Sequence, residues 1–154
     1  MTSSHDARLL RALQVDSSRS IADLAQEAAL SPSACHRRVK SLEAEGVITG
    51  YGARVDPAAL GYKMHLFVEA TLTSQRGEDL DAFERAASAV PEIIEGYLMA
   101  GGTDYILRIV ARDVADFERL HRERLAKLPN IARLQSRLTL RAFRPWTGYP
   151  VRGA

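Results

Sequence analysis

Basic and small polar side chains cluster in the stretch from Ser31 to Gly46, and their spacing fits contact with a nucleic acid. Arg37 and Lys40 are three positions apart, so on a helix of about 100° per residue they project on one side. Such cations on a narrow helix can reach phosphates and guanine edges in a DNA major groove. For this stretch taken alone, a solvated basic face remains the alternative. The expected DNA-contacting residues are Ser31, Ser33, His36, Arg37, Lys40 and Ser41, with Arg54 further along the chain.

The same stretch carries signals for both ends of a helix. Ser31 is a good N-cap acceptor, and Pro32 suits the first helical position because its missing N–H costs nothing there. Gly46 can adopt the left-handed conformation that ends a helix. The side opposite the basic residues is an apolar stripe of Cys35, Val39 and Leu42. The sequence therefore predicts a helix that packs on one side and presents charge on the other.

Two residues of this helix are interpreted as structural. Arg38 lies about 60° from the apolar stripe, so an intramolecular ion pair is favoured for it over a groove contact. Cys35 is interpreted as a small packing residue and not as a redox switch. It is the only cysteine, which excludes an intrachain disulfide and fits a reducing cytoplasm. The four histidines show no metal-ligand spacing, so neither a metal site nor a cofactor is expected.

Two shorter helical patterns precede the basic helix. The first extends from Asp6 to Gln14 and can be capped by Ser3 or Ser4. The second extends from Ile21 to Ala28, with Ser20 as its N-cap. Only about three residues link the second pattern to the basic helix, which is the length expected between helices that cross steeply. The three helices together predict a helix-turn-helix.

The residues after the basic helix predict a wing and then a domain boundary. Residues 47–55 are β-branched and aromatic with interspersed glycines, which indicates a strand or wing. Pro57 and Gly61 then interrupt both periodicities. We therefore expect a helix-turn-helix domain at residues 1–55, a linker at 56–62, and a second domain at 63–154.

The second half of the chain alternates strand and helix patterns. The predicted order is strand 64–73, helix 78–90, strand 93–100, strand 105–111, helix 114–128 and strand 131–143. Val114 is expected to face the core at the start of the second of these helices. The βαββαβ order is the ferredoxin-like arrangement, with both helices on one face of an antiparallel sheet. The predicted fold class is thus α+β.

The sheet pattern also predicts self-association. The strands that begin at Ile93 and Tyr105 are apolar on both sides, so the face without helices needs a cover. A second copy of the chain is the expected cover. A symmetric dimer would carry two DNA-reading helices, which matches a pseudo-palindromic site.

The sequence resembles the Lrp/AsnC family, the leucine-responsive or feast/famine transcriptional regulators. The resemblance extends from Asp6 to about Phe143, and it is most specific in residues 30–43 and 46–51. It implies that the helix-turn-helix binds double-stranded DNA. It also implies that the C-terminal domain binds small effectors, commonly amino acids, and drives dimerisation and further assembly to a tetramer or octamer.

The resemblance further implies an effector site at residues 101–105, where the family pattern is Gly, acidic, aromatic, Asp, aromatic. Gly101, Asp104 and Tyr105 keep this pattern, whereas Gly102 and Thr103 depart from it. Backbone N–H groups at the glycines would receive a carboxylate, and Asp104 would receive an ammonium group. From residue types alone, a tight inter-strand turn capped by Asp104 is the alternative. The effector-binding candidates are Gly101, Gly102, Thr103, Asp104, Tyr105 and Ser136.

Composition bounds the remaining classes of function. The 154 residues allow one ordinary domain or two small ones, and the net charge of only +2 means that DNA contact must depend on a local patch. No signal-peptide pattern or membrane-spanning apolar run is visible, so a soluble cytoplasmic protein is expected. An enzyme is the less favoured class because no nucleophile–base pair or phosphate loop is present. A DNA-architectural protein without an effector is the third alternative.

Overall fold

The computed structural model describes residues 3–151, which form two compact units. The first unit contains residues 3–54 together with residues 143–151, which we call the C-terminal tail. The second unit contains residues 55–142. The sequence interpretation assigned the tail to the second domain, whereas in the structure it belongs to the first unit.

Three helices build the first unit. They are α1 (Ser4–Val15), α2 (Ile21–Ala28) and α3 (Pro32–Ala44). Ser3, Ser20 and Ser31 cap them, and each hydroxyl accepts a hydrogen bond from the backbone N–H three residues later. Gly46 follows α3 with a φ of +70°, the conformation that commonly ends a helix. The predicted caps and terminator of the third helix are confirmed.

The core of this unit is small and built largely from one stripe of each helix. Leu9 and Ala12 from α1 pack with Leu24, Ala25 and Ala28 from α2 and with Cys35 and Val39 from α3. The predicted apolar stripe of α3 is therefore buried, including Leu42. The alanines of α2 let the helix axes approach closely, because a small side chain leaves little volume between them.

Residues 47–55 form no strand, so the predicted wing strand is wrong for the described chain. A strand is stable only when its backbone N–H and C=O groups pair with a neighbouring strand, and this unit provides none. Gly50 and Gly52 further lower the strand propensity. Arg54 instead donates a hydrogen bond from Nη2 to the backbone oxygen of Gln14 at 3.0 Å.

The second unit is a four-stranded sheet with two helices. Its strands are β1 (Met64–Leu72), β2 (Ile93–Leu98), β3 (Tyr105–Ala111) and β4 (Ile131–Leu138), and its helices are α4 (Gly77–Ser88) and α5 (Val114–Glu123). The strand order is β2-β3-β1-β4, and every pair is antiparallel. This confirms the predicted βαββαβ topology and the α+β class.

Both helices pack on one face of the sheet. Phe83 of α4 and Leu120 of α5 belong to the same buried cluster as Val68 and Leu107 from the central strands. The ring of Phe83 lies 4.5 Å from that of Tyr105, centroid to centroid. The core of the second unit therefore lies between this helical layer and the sheet.

Three details of the second unit differ from the sequence prediction. Helix α5 ends at Glu123 and is followed by a short 3-10 turn over Leu125–Lys127. Val114 is 71% exposed, so its predicted core position is wrong; it occupies the first helical position, directly after the Asp113 cap. Strand β4 ends at Leu138, which pairs with Leu66 of β1, whereas the prediction extended the strand to residue 143. The backbone N–H of Thr139 still donates to the His65 carbonyl oxygen of β1 at 2.9 Å.

The face opposite the helices is mixed in character. Phe67 is exposed there beside two cross-strand ion pairs, Arg108–Glu95 at 2.8 Å and Arg137–Glu69 at 2.7 Å. The two strands that were predicted to be apolar on both sides, β2 and β3, therefore carry a charged pair, Glu95 and Arg108, on this face. None of the helices between residues 3 and 151 is long and apolar enough to cross a membrane.

Candidate functional site

Helix α3 presents an exposed polar side opposite its buried stripe. Ser33, His36, Arg37 and Lys40 are all exposed on it. Arg37 makes no hydrogen bond or ion pair within residues 3–151. Lys40 lies 2.7 Å from Glu43 through its Nζ atom, in a surface pair of the kind that exchanges readily for another anion.

The other predicted DNA contacts are engaged inside the unit. The hydroxyl of Ser31 caps α3, and Oγ of Ser41 donates to Glu45. Arg54 is bound to the end of α1, as described above. The structure thus brings together Ser33, His36, Arg37 and Lys40 as an outward-facing group, while the remaining three stabilise the unit.

Arg38 is bound to α1 by a bidentate ion pair, which confirms its predicted structural role. Its Nε and Nη2 atoms lie 2.6 and 2.9 Å from the two carboxylate oxygens of Asp6. Asp6 is only 2% exposed and also accepts the backbone N–H of Ser3, completing a capping box. Hydrogen bonds from Arg38 hold the pKa of Asp6 well below its usual value, against desolvation that acts to raise it.

Sequence reasoning missed Asp6 as a positioning residue. The available signal was a Ser-x-x-Asp capping-box spacing at the start of α1, which explains the helix end but not the partner on α3. The pair fixes α3 relative to α1, so the two neighbouring arginines of α3 have opposite roles. Arg38 is held inward and Arg37 is left outward.

A second polar chain connects α3 with the segment that follows it. The hydroxyl of Tyr51 donates to Oε1 of Glu43 at 2.9 Å, while Lys40 contacts the other oxygen of the same carboxylate. Lys40 and Tyr51 lower the pKa of Glu43, and burial together with Glu43 raises the pKa of Tyr51. The side chain of Tyr51 is therefore linked through Glu43 to Lys40 on the basic side of α3.

The turn predicted to bind an effector is tied to the end of β1. The two oxygens of Asp104 accept the backbone N–H of Leu72 at 2.7 Å and Nε2 of Gln75 at 2.6 Å. The hydroxyl of Thr103 donates to the Ala70 carbonyl oxygen at 3.0 Å. Gly101 has a φ of +140°, which favours glycine. Gln75 carried no signal in the sequence, because only the β1–β3 pairing brings it to Asp104.

A cavity of about 290 Å³ lies beside this turn. Its lining residues are Gln75, Leu80, Leu98, Met99, Ala100, Gly101 and Asp104. Of the six residues predicted to bind an effector, only Gly101 and Asp104 line this cavity. Gly102 is exposed, and Ser136 lies on β4 opposite Val68 of β1.

Tyr105 points to a different part of the unit. Its hydroxyl donates to Glu84 of α4 at 2.8 Å. Burial and Glu84 together raise the pKa of Tyr105 well above its usual value. Within residues 3–151, no group of three or more histidine, cysteine, aspartate or glutamate side chains is arranged to hold a metal ion.

A helix-turn-helix with an exposed basic side, followed by a four-stranded ferredoxin-like unit, defines a two-domain transcriptional regulator. Residues 3–49 match the winged helix-turn-helix DNA-binding family, and residues 65–147 match the Lrp/AsnC ligand binding domain. The chain belongs to the Lrp/AsnC family, as its sequence resemblance predicted.

Individual relatives agree with this assignment. The HTH-type transcriptional regulator y4sM of Sinorhizobium fredii is 46% identical over 115 residues, which are 75% of this chain and 91% of that protein. A transcriptional regulator of Neisseria meningitidis in complex with L-methionine superposes with a TM-score of 0.90 at 25% identity, covering 95% of this chain and 94% of that one. The feast or famine regulatory protein of M. tuberculosis, complexed with L-methionine, gives 0.82 at 30% identity, with 94% and 96% covered.

Proposed function

We propose that this regulator binds specific double-stranded DNA by inserting α3 into the major groove. The observation that supports this proposal is the difference between two adjacent arginines of α3. Arg38 is held by the buried Asp6, whereas Arg37 is exposed on the side of α3 opposite the core. An arginine without an intramolecular partner loses no existing ion pair when it contacts a guanine edge or a phosphate.

The test is the DNA affinity of Arg37→Ala, measured by fluorescence anisotropy on a duplex that the wild-type chain selects from a random pool. Loss of a base-contacting arginine should weaken binding by about 1 to 3 kcal/mol. Arg8→Ala is the matched control, because it removes the same charge from the exposed side of α1. Equal affinities for the two variants would contradict the assignment of Arg37.

Lys40 is assigned to a phosphate. Lys40→Ala should therefore weaken binding to selected and unselected duplexes alike and reduce the slope of log affinity against log salt by about one. A loss confined to the selected duplex would instead make Lys40 a base contact.

We further propose that the cavity beside Gly101 and Asp104 binds a free amino acid as effector. Its volume of about 290 Å³ is near the lower end of ligand sites, which span roughly 300 to 1,000 Å³. A carboxylate can accept about four hydrogen bonds, and two of those of Asp104 are used internally. Asp104 therefore retains capacity for an ammonium group. The two relatives that hold L-methionine support an amino acid as the ligand class.

Calorimetric titration of the full chain with each amino acid tests the effector proposal. Binding heat is expected for at least one, and Asp104→Asn should weaken that binding at least about tenfold, since charged hydrogen bonds contribute about 1.5 to 3 kcal/mol. This variant keeps the side-chain shape, and the amide of Gln75 can rotate to pair with the new amide. Asp81→Asn, an exposed change on α4, is the control.

A DNA-architectural protein without an effector is the second candidate. It is favoured by Gly102 and Thr103, which depart from the family pattern, and by the internal hydrogen bonds that already occupy Asp104. Absence of heat with every amino acid, for a chain that still binds DNA, would overturn the effector proposal and favour this candidate.

We also propose that the chain forms a homodimer through the sheet face opposite the helices, and that dimers assemble further to a tetramer or octamer. Exposed Phe67 on this face supports the proposal, and the ion pair between Arg137 and Glu69 beside it gives the contact a polar rim. Light scattering should give at least twice the mass of one chain, and Phe67→Asp should lower that mass. A wild-type chain that is monomeric would contradict the proposal.

A further inference from the structure

The C-terminal tail is bound to α1 through its backbone. Nε2 of Gln14 donates to the Tyr149 carbonyl oxygen at 3.1 Å, and Oε1 of Gln14 accepts the Tyr149 N–H at 2.6 Å. This is the reciprocal pairing that two strand residues exchange across an antiparallel ladder, supplied here by one side-chain amide. Arg11 adds a hydrogen bond from Nη2 to the carbonyl oxygen of Val151 at 3.0 Å. The tail is thus held in one register.

Gly148 allows the tail to approach Gln14. Its φ of +99° lies in the region that side-chain-bearing residues avoid. A Cβ atom at this position would lie 2.6 Å from Oε1 of Gln14, the oxygen that holds the next residue of the tail. The contact therefore requires glycine for two independent reasons.

The aromatic side chains of the tail border an apolar cleft. Trp146 and Tyr149 form an edge-to-face pair with ring centroids 4.6 Å apart. They line a cleft of about 470 Å³ together with Leu10 and Leu13 of α1 and with Tyr51. The tail therefore forms one wall of this cleft, and α1 and residues 47–51 form the others.

Tyr51 connects this cleft to the basic side of α3. The same side chain that faces the tail donates its hydroxyl proton to Glu43, and Glu43 accepts from Lys40. Displacement of the tail would remove one wall of the cleft that the ring of Tyr51 lines. The orientation of Glu43, and with it that of Lys40, would then be less restricted.

We propose that the C-terminal tail is a positioning element of the DNA-binding unit. Held by Gln14, it supports Tyr51 and so orients the basic side of α3 for DNA. This inference rests on the DNA-binding function proposed above and adds an intramolecular docking surface to it.

Two variants of the full chain weaken docking by different means. Gln14→Glu keeps the shape and the acceptor oxygen but removes the donor to the Tyr149 carbonyl. Gly148→Ala adds the obstructing Cβ. Their controls are Gln26→Glu, the same charge change at an exposed position of α2, and Gly77→Ala, where a Cβ meets no atom within 4 Å.

Docking and DNA binding are then measured separately. Trp146 is the only tryptophan, so its fluorescence anisotropy reports the mobility of the tail. Both docking variants should lower this anisotropy and weaken binding of the selected duplex about five- to tenfold, the equivalent of one lost hydrogen bond. The two control variants should keep the wild-type anisotropy of Trp146 and the wild-type affinity for the selected duplex. Lower anisotropy with DNA affinity within about twofold of wild type would overturn the inference, and so would unchanged anisotropy in both variants.

Thermodynamic reciprocity separates positioning from a purely stabilising role. If docking strengthens DNA binding by some factor, DNA must strengthen docking by the same factor. Adding the duplex to Gln14→Glu should therefore restore the anisotropy of Trp146 toward the wild-type value. No restoration at saturating DNA would overturn the inference. A wild-type chain that selects no duplex would instead refute the DNA-binding proposal, and the anisotropy would still report docking.

Discussion

The ion pair between Asp6 and Arg38 should determine whether α3 stays fixed in the first unit. Removal of one partner from a buried pair costs about 3 to 5 kcal/mol, because the other charge remains buried and uncompensated. The two partners differ in this respect. Asp6 is 2% exposed, whereas the Arg38 side chain is 37% exposed and can be hydrated if it loses its partner.

This asymmetry predicts an order of stabilities. Asp6→Asn should destabilise the unit by about 2 kcal/mol, below the range for a buried pair, because the surviving cation reaches water. Arg38→Met keeps the apolar stem but leaves the Asp6 carboxylate buried without a cation, so it should be the more destabilising change. The double variant removes both charges and should be more stable than Arg38→Met alone.

Urea unfolding followed by Trp146 fluorescence measures these effects, because Trp146 lies in the same compact unit. The pH dependence gives a further check on the cause. The pKa of Asp6 is lowered by folding, so its stabilisation is present above the unfolded pKa near 4 and is lost as the pH falls below it. Wild-type and Asp6→Asn stabilities should therefore converge in acid. Single-variant effects that add within about 0.5 kcal/mol in the double variant would refute the reasoning.

Three smaller predictions concern single positions. Phe83→Ala should destabilise the second unit by about 3 to 5 kcal/mol in urea unfolding monitored by circular dichroism, and a loss below about 1 kcal/mol would mean that this core position collapses without a cavity. Ala29→Gly should stabilise the first unit by about 0.5 to 1 kcal/mol in the same assay, because Ala29 ends α2 at a φ of +54°; a loss of stability would contradict this. Burial raises the pKa of Cys35, so its thiol should react with maleimide at least about tenfold more slowly in the native chain than in urea, and equal rates would show that α3 opens freely.

The sequence predicted the helix-turn-helix unit well because its signals are local. Ser31, Pro32 and Gly46 act within one turn of the helix ends that they define, and the buried stripe of α3 follows from helical periodicity. Because these signals are local, they could not show whether a predicted strand would have a neighbouring strand to pair with. Residues 47–55 have strand composition but no strand partner within the described residues, and β4 ends at Leu138, five residues before its predicted end.

The candidate functional residues also divide into those that the sequence was sufficient to identify and those whose state only the tertiary structure shows. The exposed position of Arg37 follows from its place in the helix, so the sequence was sufficient to identify it. Ser41 is equally polar in sequence, yet its hydroxyl is engaged with Glu45 and Arg38. At the effector turn, the sequence identified Gly101 and Asp104 but not Gln75, which completes the hydrogen bonding of Asp104 from 29 positions away.

The sequence by itself thus predicted the five α-helices and the four strands of the sheet, their order, the family and the charged side of α3, although not every element end and not the absence of a wing strand from residues 47–55. Only the tertiary structure decided which polar groups are free to bind a partner. Asp6 meets Arg38 across 32 positions, and Gln14 meets Tyr149 across 135. Pairings at such distances depend on how the helices and the tail pack. Helical periodicity and capping describe only neighbours within about one turn of a helix, so they could not predict these contacts.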